Sequence, residues 1–239
     1  MRELLENGLA ALGVTSGADA AAQLARYAAL LLEKNEVMNL TAITEPEQVA
    51  RLHFLDSAAL LSPDAPWGSL AGKSVIDVGT GAGFPGLVLR ILSPDTRVTL
   101  LDALGKRVTW LGEVCADLGF ADVTCLHARS EEQSLQKNYR DSYDFAVSRA
   151  VAELRVLAEL CLPYVKVGGH FLAMKSVGCD EELSEAHRAI RTLGGTVRAA
   201  WDYTIPGTDV THRVVVIEKT APTPKGYPRR WAKIKASPL

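Results

Sequence analysis

The chain has 239 residues, 48% of them apolar, with 26 Lys and Arg against 28 Asp and Glu for a formal net charge of −2. That supplies ample core for one domain, or one domain with an appendage, and excludes a uniformly basic surface; affinity for nucleic acid must come from a local patch. No stretch approaches the roughly 20 apolar residues of a membrane span, and the acids in Met1-Arg2-Glu3-Leu4-Leu5-Glu6 do not suit a secretory leader, so a cytoplasmic protein is expected.

The first seventy residues read as helical. Ala20 to Glu33 places apolar side chains at helical spacing. Glu45-Pro46-Glu47-Gln48 reads as a helix start with Thr44 as N-cap, and that helix is expected to pass His53-Phe54-Leu55-Asp56-Ser57 and end near Leu61. Ser62 to Gly68 then breaks the pattern, and from Lys73 the rhythm becomes strand–helix alternation, the signature of a parallel sheet. Strands are expected at 73–78, 97–102, 123–127, 143–148 and 170–175, with helices at 106–118, closed by Gly119, and at 152–162. Segments 196–203 and 213–219 flank Pro206-Gly207 and read as two adjacent strands joined by a turn-rich loop. The division implied is a helical extension over 1–70, a ligand-binding core over 71–220 and a basic tail over 221–239.

Cys115, Cys125, Cys161 and Cys179 lack metal-type spacing and read as reduced, buried thiols; the five histidines are equally dispersed, so no metal is expected.

The most informative stretch is Val75-Ile76-Asp77-Val78-Gly79-Thr80-Gly81-Ala82-Gly83-Phe84-Pro85-Gly86, an apolar strand entering a glycine-rich turn that opens a helix. Gly79, Gly81 and Gly83 let the backbone turn sharply and approach an adenosine-bearing cofactor, and the helix behind them directs amide N–H groups at it. The second strand ends in Asp102, about 20 residues past the glycines, where a carboxylate can accept from both ribose hydroxyls; the alternative is a helix cap or turn residue. Nicotinamide dinucleotides and S-adenosylmethionine both present an adenosine to such a turn. Asp77 favours the second, because a buried carboxylate there repels a pyrophosphate but attracts a sulfonium and an ammonium. The closing pair of strands favours it too, since dinucleotide dehydrogenases normally continue with a second parallel half.

With Asn39-Leu40-Thr41, His53-Phe54-Leu55-Asp56-Ser57, Phe84-Pro85-Gly86, Leu100-Leu101-Asp102, Gly105-Lys106-Arg107-Val108, Ser130-Glu131-Glu132 and Ser148-Arg149-Ala150, the chain resembles the bacterial 16S ribosomal RNA guanine-N7 methyltransferase family, also called the glucose-inhibited division protein B family. It departs in having Lys34 where a tryptophan often precedes the Asn, and Arg230-Trp231-Ala232 where Gly-Thr-Pro commonly follows Tyr227-Pro228-Arg229. The resemblance implies a Rossmann-like class I methyltransferase, an α/β fold whose mostly parallel sheet ends in an antiparallel hairpin. It also implies S-adenosyl-L-methionine as cofactor, and as partner 16S rRNA in the small ribosomal subunit or an assembly intermediate.

It implies that Gly79 and Phe84 contact the cofactor, that Gly81 and Gly83 shape the turn, and that Ser130 and Glu131 hold the adenine. From the residues alone Glu131 could equally be a solvated acid at a helix start. Arg149, at the carboxyl edge of the sheet, is a candidate for cofactor and substrate, against a surface ion pair as the alternative. Lys175, Arg229, Arg230 and Lys233 are candidates for RNA contact, with Tyr227 and Trp231 interleaved in a tail that could also be a disordered terminus. No acid–base residue is nominated, because N7 of guanine carries a lone pair and no proton. A nicotinamide oxidoreductase and a non-catalytic ribosome-associated protein are the competing readings.

Overall fold

The computed structural model describes residues 1–149 and 151–239, so Ala150 of the Ser148-Arg149-Ala150 motif lies outside the described residues. The expected strands form β1 (Ser74–Val78), β2 (Arg97–Asp102), β3 (Thr124–His127), β4 (Tyr143–Arg149), β5 (Val165–Ser176), β6 (Gly195–Thr204) and β7 (Thr211–Lys219). They make one sheet in the order β3-β2-β1-β4-β5-β7-β6. β3 to β5 across that order are parallel, and β7 runs antiparallel to both β5 and β6. The closing hairpin thus inserts its second strand between β5 and the edge strand β6. The fifth strand is longer than expected because Val165–Gly169, which carries two glycines, continues the extended backbone.

Alternation along the strands divides the interior in two. Val75, Leu100, Val147, Leu172 and Val216 face one core; Ile76, Leu101, Ala146, Phe171 and Ile217 face the other. Both faces of a parallel sheet must be covered, and two sets of helices do so. On the first face lie α1 (Arg2–Ala11), α2 (Ala20–Met38), α5 (Gly86–Leu92) and α6 (Gly105–Asp117); on the second lie α8 (Leu154–Cys161) and α9 (Asp180–Thr192). The N-terminal helices are therefore part of the wall of the sheet's own core. Between them and β1 runs a mixed helix: α3 (Pro46–Val49), a π turn over Ala50–Leu55, α4 (Asp56–Ala58) and a 3-10 turn over Ala59–Leu61. Glu45, not Thr44, occupies its N-cap position, with extended backbone and no side-chain cap. The π turn, which no periodicity argument anticipates, carries His53.

The tail is folded. Lys219 is buried, its ammonium donating to Leu162 O (2.5 Å), Thr223 Oγ1 (2.8 Å) and Asp141 Oδ1 (2.9 Å). Arg140 donates to the carbonyls of Thr223 and Tyr227. Beyond them α10 (Trp231–Ala236) seats Ile234 in the second core. Arg229 corrects the sequence expectation most directly. Its guanidinium forks onto Glu159 of α8 at 2.8 and 2.6 Å, and its backbone N–H donates to the same carboxylate. Glu159 is fully buried, so this arginine neutralises an interior acid and is not free for phosphate.

Removing one member of such a pair leaves an uncompensated charge in the core. Glu159→Ala should cost about 3 kcal/mol or more in urea unfolding, while the double change Glu159→Leu with Arg229→Met should recover most of that loss. A single variant unfolding at the wild-type midpoint would contradict the assignment.

Candidate functional site

The parallel strands all end at one edge, which gathers the glycine turn after β1, Asp102 after β2 and Arg149 at the end of β4. The turn is held from below. Gly79 and Thr80 donate their N–H groups to Leu101 O at 2.8 and 3.0 Å. Asp77 Oδ2 accepts from the Thr80 hydroxyl (2.7 Å) and from the N–H of Gly86 (2.8 Å), so a single carboxylate oxygen ties both ends of the loop. Gly83, with φ +97°, has no alternative residue: a Cβ there would collide with the Tyr27 hydroxyl. That hydroxyl donates to Ala82 O, so a helix of the N-terminal extension fixes the turn from the other side.

Asp77 is fully buried, and its Oδ1 has no hydrogen-bond partner among the described residues. Burial raises its pKa to about 6, against the lowering effect of its two donors. The carboxylate does not line the cavity above the turn. The expected direct attraction of a cationic ligand is corrected accordingly: Asp77 acts on the ligand site through the loop it ties down.

That cavity has a volume of about 400 Å³. Its floor is Gly79, Gly81, Ala82 and Phe84, with Asp102, Leu104 and Arg107 at one end and Thr41, His53 and Arg149 at the other. Asp102 Oδ1 accepts from Leu104 N (2.8 Å) and Oδ2 from Gly81 N (3.0 Å), with the Arg107 guanidinium 3.7 Å away. The acid is thus both a turn-former and a carboxylate facing the cavity. Ser130 and Glu131 do not line it. They open the short helix α7 (Ser130–Gln133) after β3. The Ser130 hydroxyl donates to Leu160 O at 2.8 Å, which turns it into the protein, and Glu131 is buried beside Arg129. Their expected adenine contact is not among the contacts this arrangement offers.

The far wall was not read from the sequence as a unit. Arg149 Nη1 donates to Leu52 O (3.1 Å) and to Asp56 Oδ2 (2.7 Å), and Nη2 donates to His53 Nδ1 (3.1 Å). Its guanidinium lies 5.0 Å from the centre of the Phe84 ring, on which His53 stacks at 4.5 Å. Since arginine can only donate, His53 Nδ1 is the acceptor, and Nε2 carries the proton toward Thr41 Oγ1 at 2.8 Å. Burial and the neighbouring Arg149 push the His53 pKa down to about 4, so the ring is neutral at physiological pH. Asp56 Oδ1 accepts from the Tyr203 hydroxyl (2.8 Å) and His212 Nδ1 (2.7 Å). Burial opposes the charge on Asp56, yet His212 and Arg149 outweigh it and hold the carboxyl below its ordinary value. A lone acid in the apolar Phe54-Leu55-Asp56 stretch was the available signal; its partners lie 93 and 156 residues away.

Of the remaining candidates, Lys175 is committed elsewhere. Its ammonium donates to Ala152 O (2.8 Å) and pairs with Glu182 at 2.5 Å, on the α9 side. Arg230 and Lys233 are exposed on the tail, and Trp231 lies 5.8 Å from the Arg129 guanidinium. Among the described residues, no group of three or more His, Cys, Asp or Glu is placed to hold a metal ion, and no helix is long and apolar enough to cross a membrane.

Comparison with known proteins places this site in context. Residues 20–203 match the family described as GidB, rRNA small subunit methyltransferase G. The chain is 42% identical over 237 residues to the ribosomal RNA small subunit methyltransferase G of Clostridium perfringens strain 13, covering 99% of this chain and 98% of that one. It is 46% identical over 236 residues to the protein of the same name from Alkaliphilus metalliredigens, with the same coverage. Among solved structures, MtNAS in complex with MTA and tNA superimposes with a TM-score of 0.55 at 16% identity, over 81% of this chain and 71% of that one, a likeness of fold alone.

The raised pKa of Asp77 has a stability consequence with a definite sign. Between its ordinary value near 4 and its folded value near 6 the native state binds the extra proton, so the contribution of Asp77 to stability is lost as pH rises through 6. Asp77→Asn keeps an oxygen for Thr80 and Gly86 and removes the charge. It should gain on the order of 2–3 kcal/mol relative to wild type between pH 4 and pH 7 in urea unfolding. An equal difference at both pH values would sink the assignment.

Proposed function

The chain belongs to the rRNA small subunit methyltransferase G family, and from that premise we propose that it moves the methyl group of S-adenosylmethionine to N7 of one guanosine in the decoding region of bacterial 16S rRNA. The observation that carries the reading is the 400 Å³ cavity with the glycine turn as floor and the Asp102 carboxylate at one end. Asp102 is the group to accept from the ribose hydroxyls, Gly79 and Phe84 lie beneath the sulfonium end, and the Arg149–His53 wall faces the incoming base.

The reaction needs alignment and little else. The N7 lone pair attacks the methyl carbon in line with the carbon–sulfur bond; that bond breaks, and sulfur keeps the electron pair as a neutral thioether. The positive charge passes from sulfur to the base, and no proton moves. A neutral His53 and a fully paired Arg149 fit a site that works by position and preorganised dipoles. N7 of a paired guanosine lies in the deep, narrow major groove of an RNA helix, so the target must be in a loop or rotated out of its stack.

Residues 71–220 would supply the cofactor site and 1–70 one wall of it, in a cytoplasmic enzyme acting on the small subunit or an assembly intermediate. Phosphate contact falls to Arg230 and Lys233 of the tail 221–239, since Arg229 is spent on Glu159.

Labelled S-adenosylmethionine and small subunits lacking the modification test this directly. A single N7-methylguanine located by mass spectrometry is the expected product. Transfer to another atom, or none from an enzyme that still binds S-adenosylhomocysteine, would refute the substrate assignment and, in the second case, favour a non-catalytic ribosome-associated role.

The tail makes a separate forecast. Replacing Arg230 and Lys233 together by Gln should lower the slope of log affinity against log salt by about two, with S-adenosylhomocysteine affinity unchanged. An unaltered slope would remove the tail from the interface.

A further inference from the structure

A second cavity, of about 320 Å³, lies on the other side of the Arg149–His53 wall. Leu52 and Met174 give it apolar sides, His53 and Arg149 are shared with the cofactor cavity, and Asp56 and His212 close the far end. Its position follows from the sheet. Arg149 pairs in register with Met174, and Ser176 pairs with His212, so the ends of β4 and β5 and the start of β7 meet at the ligand-binding edge.

His212 belongs to the second cavity and not to the first. Its Nδ1 faces a carboxylate oxygen of Asp56 at 2.7 Å, so Nδ1 carries the proton of the neutral ring and Nε2 presents a lone pair. Nε2 makes no hydrogen bond among the described residues, and the side chain is partly exposed. The site is therefore a flat-sided apolar slot with one hydrogen-bond acceptor at the end remote from the cofactor.

We propose that this slot receives the base of the target nucleotide and that His212 distinguishes guanine from adenine there. The inference rests on the methyltransferase reading above and adds the residue that selects the base. When N7 points through the shared wall toward the methyl group, the opposite end of the purine points at His212. In guanine that end carries N1–H and the N2 amino group, both donors to Nε2. In adenine it carries C2–H and the N1 lone pair, which would meet the Nε2 lone pair and leave it unpaired. A site built to pair with a group rejects the analogue lacking it more strongly than a simple loss of contact would suggest.

The test uses the full-length enzyme, labelled S-adenosylmethionine, and small subunits lacking the modification, with either guanosine or adenosine at the target position. His212→Asn keeps an N–H for Asp56 and removes the Nε2 acceptor. It should lower kcat/KM on guanosine subunits roughly tenfold, as expected for one lost hydrogen bond in a closed site. It should also narrow the wild-type preference for guanosine over adenosine, with S-adenosylhomocysteine affinity within about twofold of wild type. Ser176→Trp, on the exposed rim, fills the slot without touching the core and should reduce transfer more than about a hundredfold with cofactor affinity intact, as expected when the base is barred from its near-attack position. Wild-type transfer by both variants, an unchanged base preference in His212→Asn, or losses that track cofactor affinity would overturn the proposal. A wild-type enzyme that binds S-adenosylhomocysteine but methylates no subunit would refute the function itself, and the same assay separates that outcome from failure of the variants alone.

Discussion

A guanidinium that is largely out of water must be paired on every side, and the placement of Arg149 organises the rest of this molecule. It sits at the end of β4, where the sheet delivers it to the ligand edge, and it takes its partners from the N-terminal extension: Leu52 O, Asp56 and His53. Those three groups come from a π turn and the helical turn after it. The π turn accounts for the irregular backbone there, since its altered hydrogen-bond ladder offers Leu52 O and the His53 ring to the same cation. The extension cannot be a detachable cover under these conditions. Its removal would leave Arg149 unpaired, release Phe84 from the His53 stack and free the Ala82 carbonyl from Tyr27.

Much of the fold was legible because it is written in local patterns. Alternating apolar strands, the breaks at Ser62 to Gly68 and Pro206-Gly207, and the glycine turn gave the element order, and Asp102 was found from its distance to that turn. The contacts that were misjudged are those in which a charged residue is satisfied from far along the chain. A basic tail with interleaved aromatics reads as a solvated RNA arm until Glu159 is noticed, an acid between Leu157, Ala158, Leu160 and Cys161, all of them buried. Such an acid demands a cation, but nothing in the spacing says that Arg229, 70 residues later, supplies it. Ser130 likewise looked like a ligand contact from its place after β3, whereas its hydroxyl satisfies the carbonyl of Leu160.

Asp77 was singled out for the right position and the wrong contact. The charge argument against a pyrophosphate holds wherever the carboxylate sits near the turn, but the structure assigns the oxygen to Thr80 and Gly86. A side chain that reads as a ligand group in sequence can serve as the bracket that gives a glycine loop one shape. Glycines confer the freedom to approach a cofactor, and that freedom is an entropic cost unless something pins the loop. Asp77 from the strand, Tyr27 from α2 and the Leu101 carbonyl from β2 do so from three directions.

The electrostatics of the two cavities fit the transfer of a cation without a proton. On the proposed reaction a positive charge enters on sulfur and leaves on the base, so the site has to tolerate one cation at either of two places a few ångströms apart. A protonated histidine in the shared wall would oppose it at both. Burial and Arg149 hold His53 neutral, and Arg149 in turn is neutralised by Asp56, so the wall carries no net charge of its own. Asp102 faces the first cavity and Asp56 closes the second, placing a carboxylate at each end of the path. A titrating base in that wall would add nothing to attack by an unprotonated nitrogen and would interfere with the charge that moves. The neutral histidine is thus best understood as a spacer, stacked on Phe84, that keeps the guanidinium in place between cofactor and base.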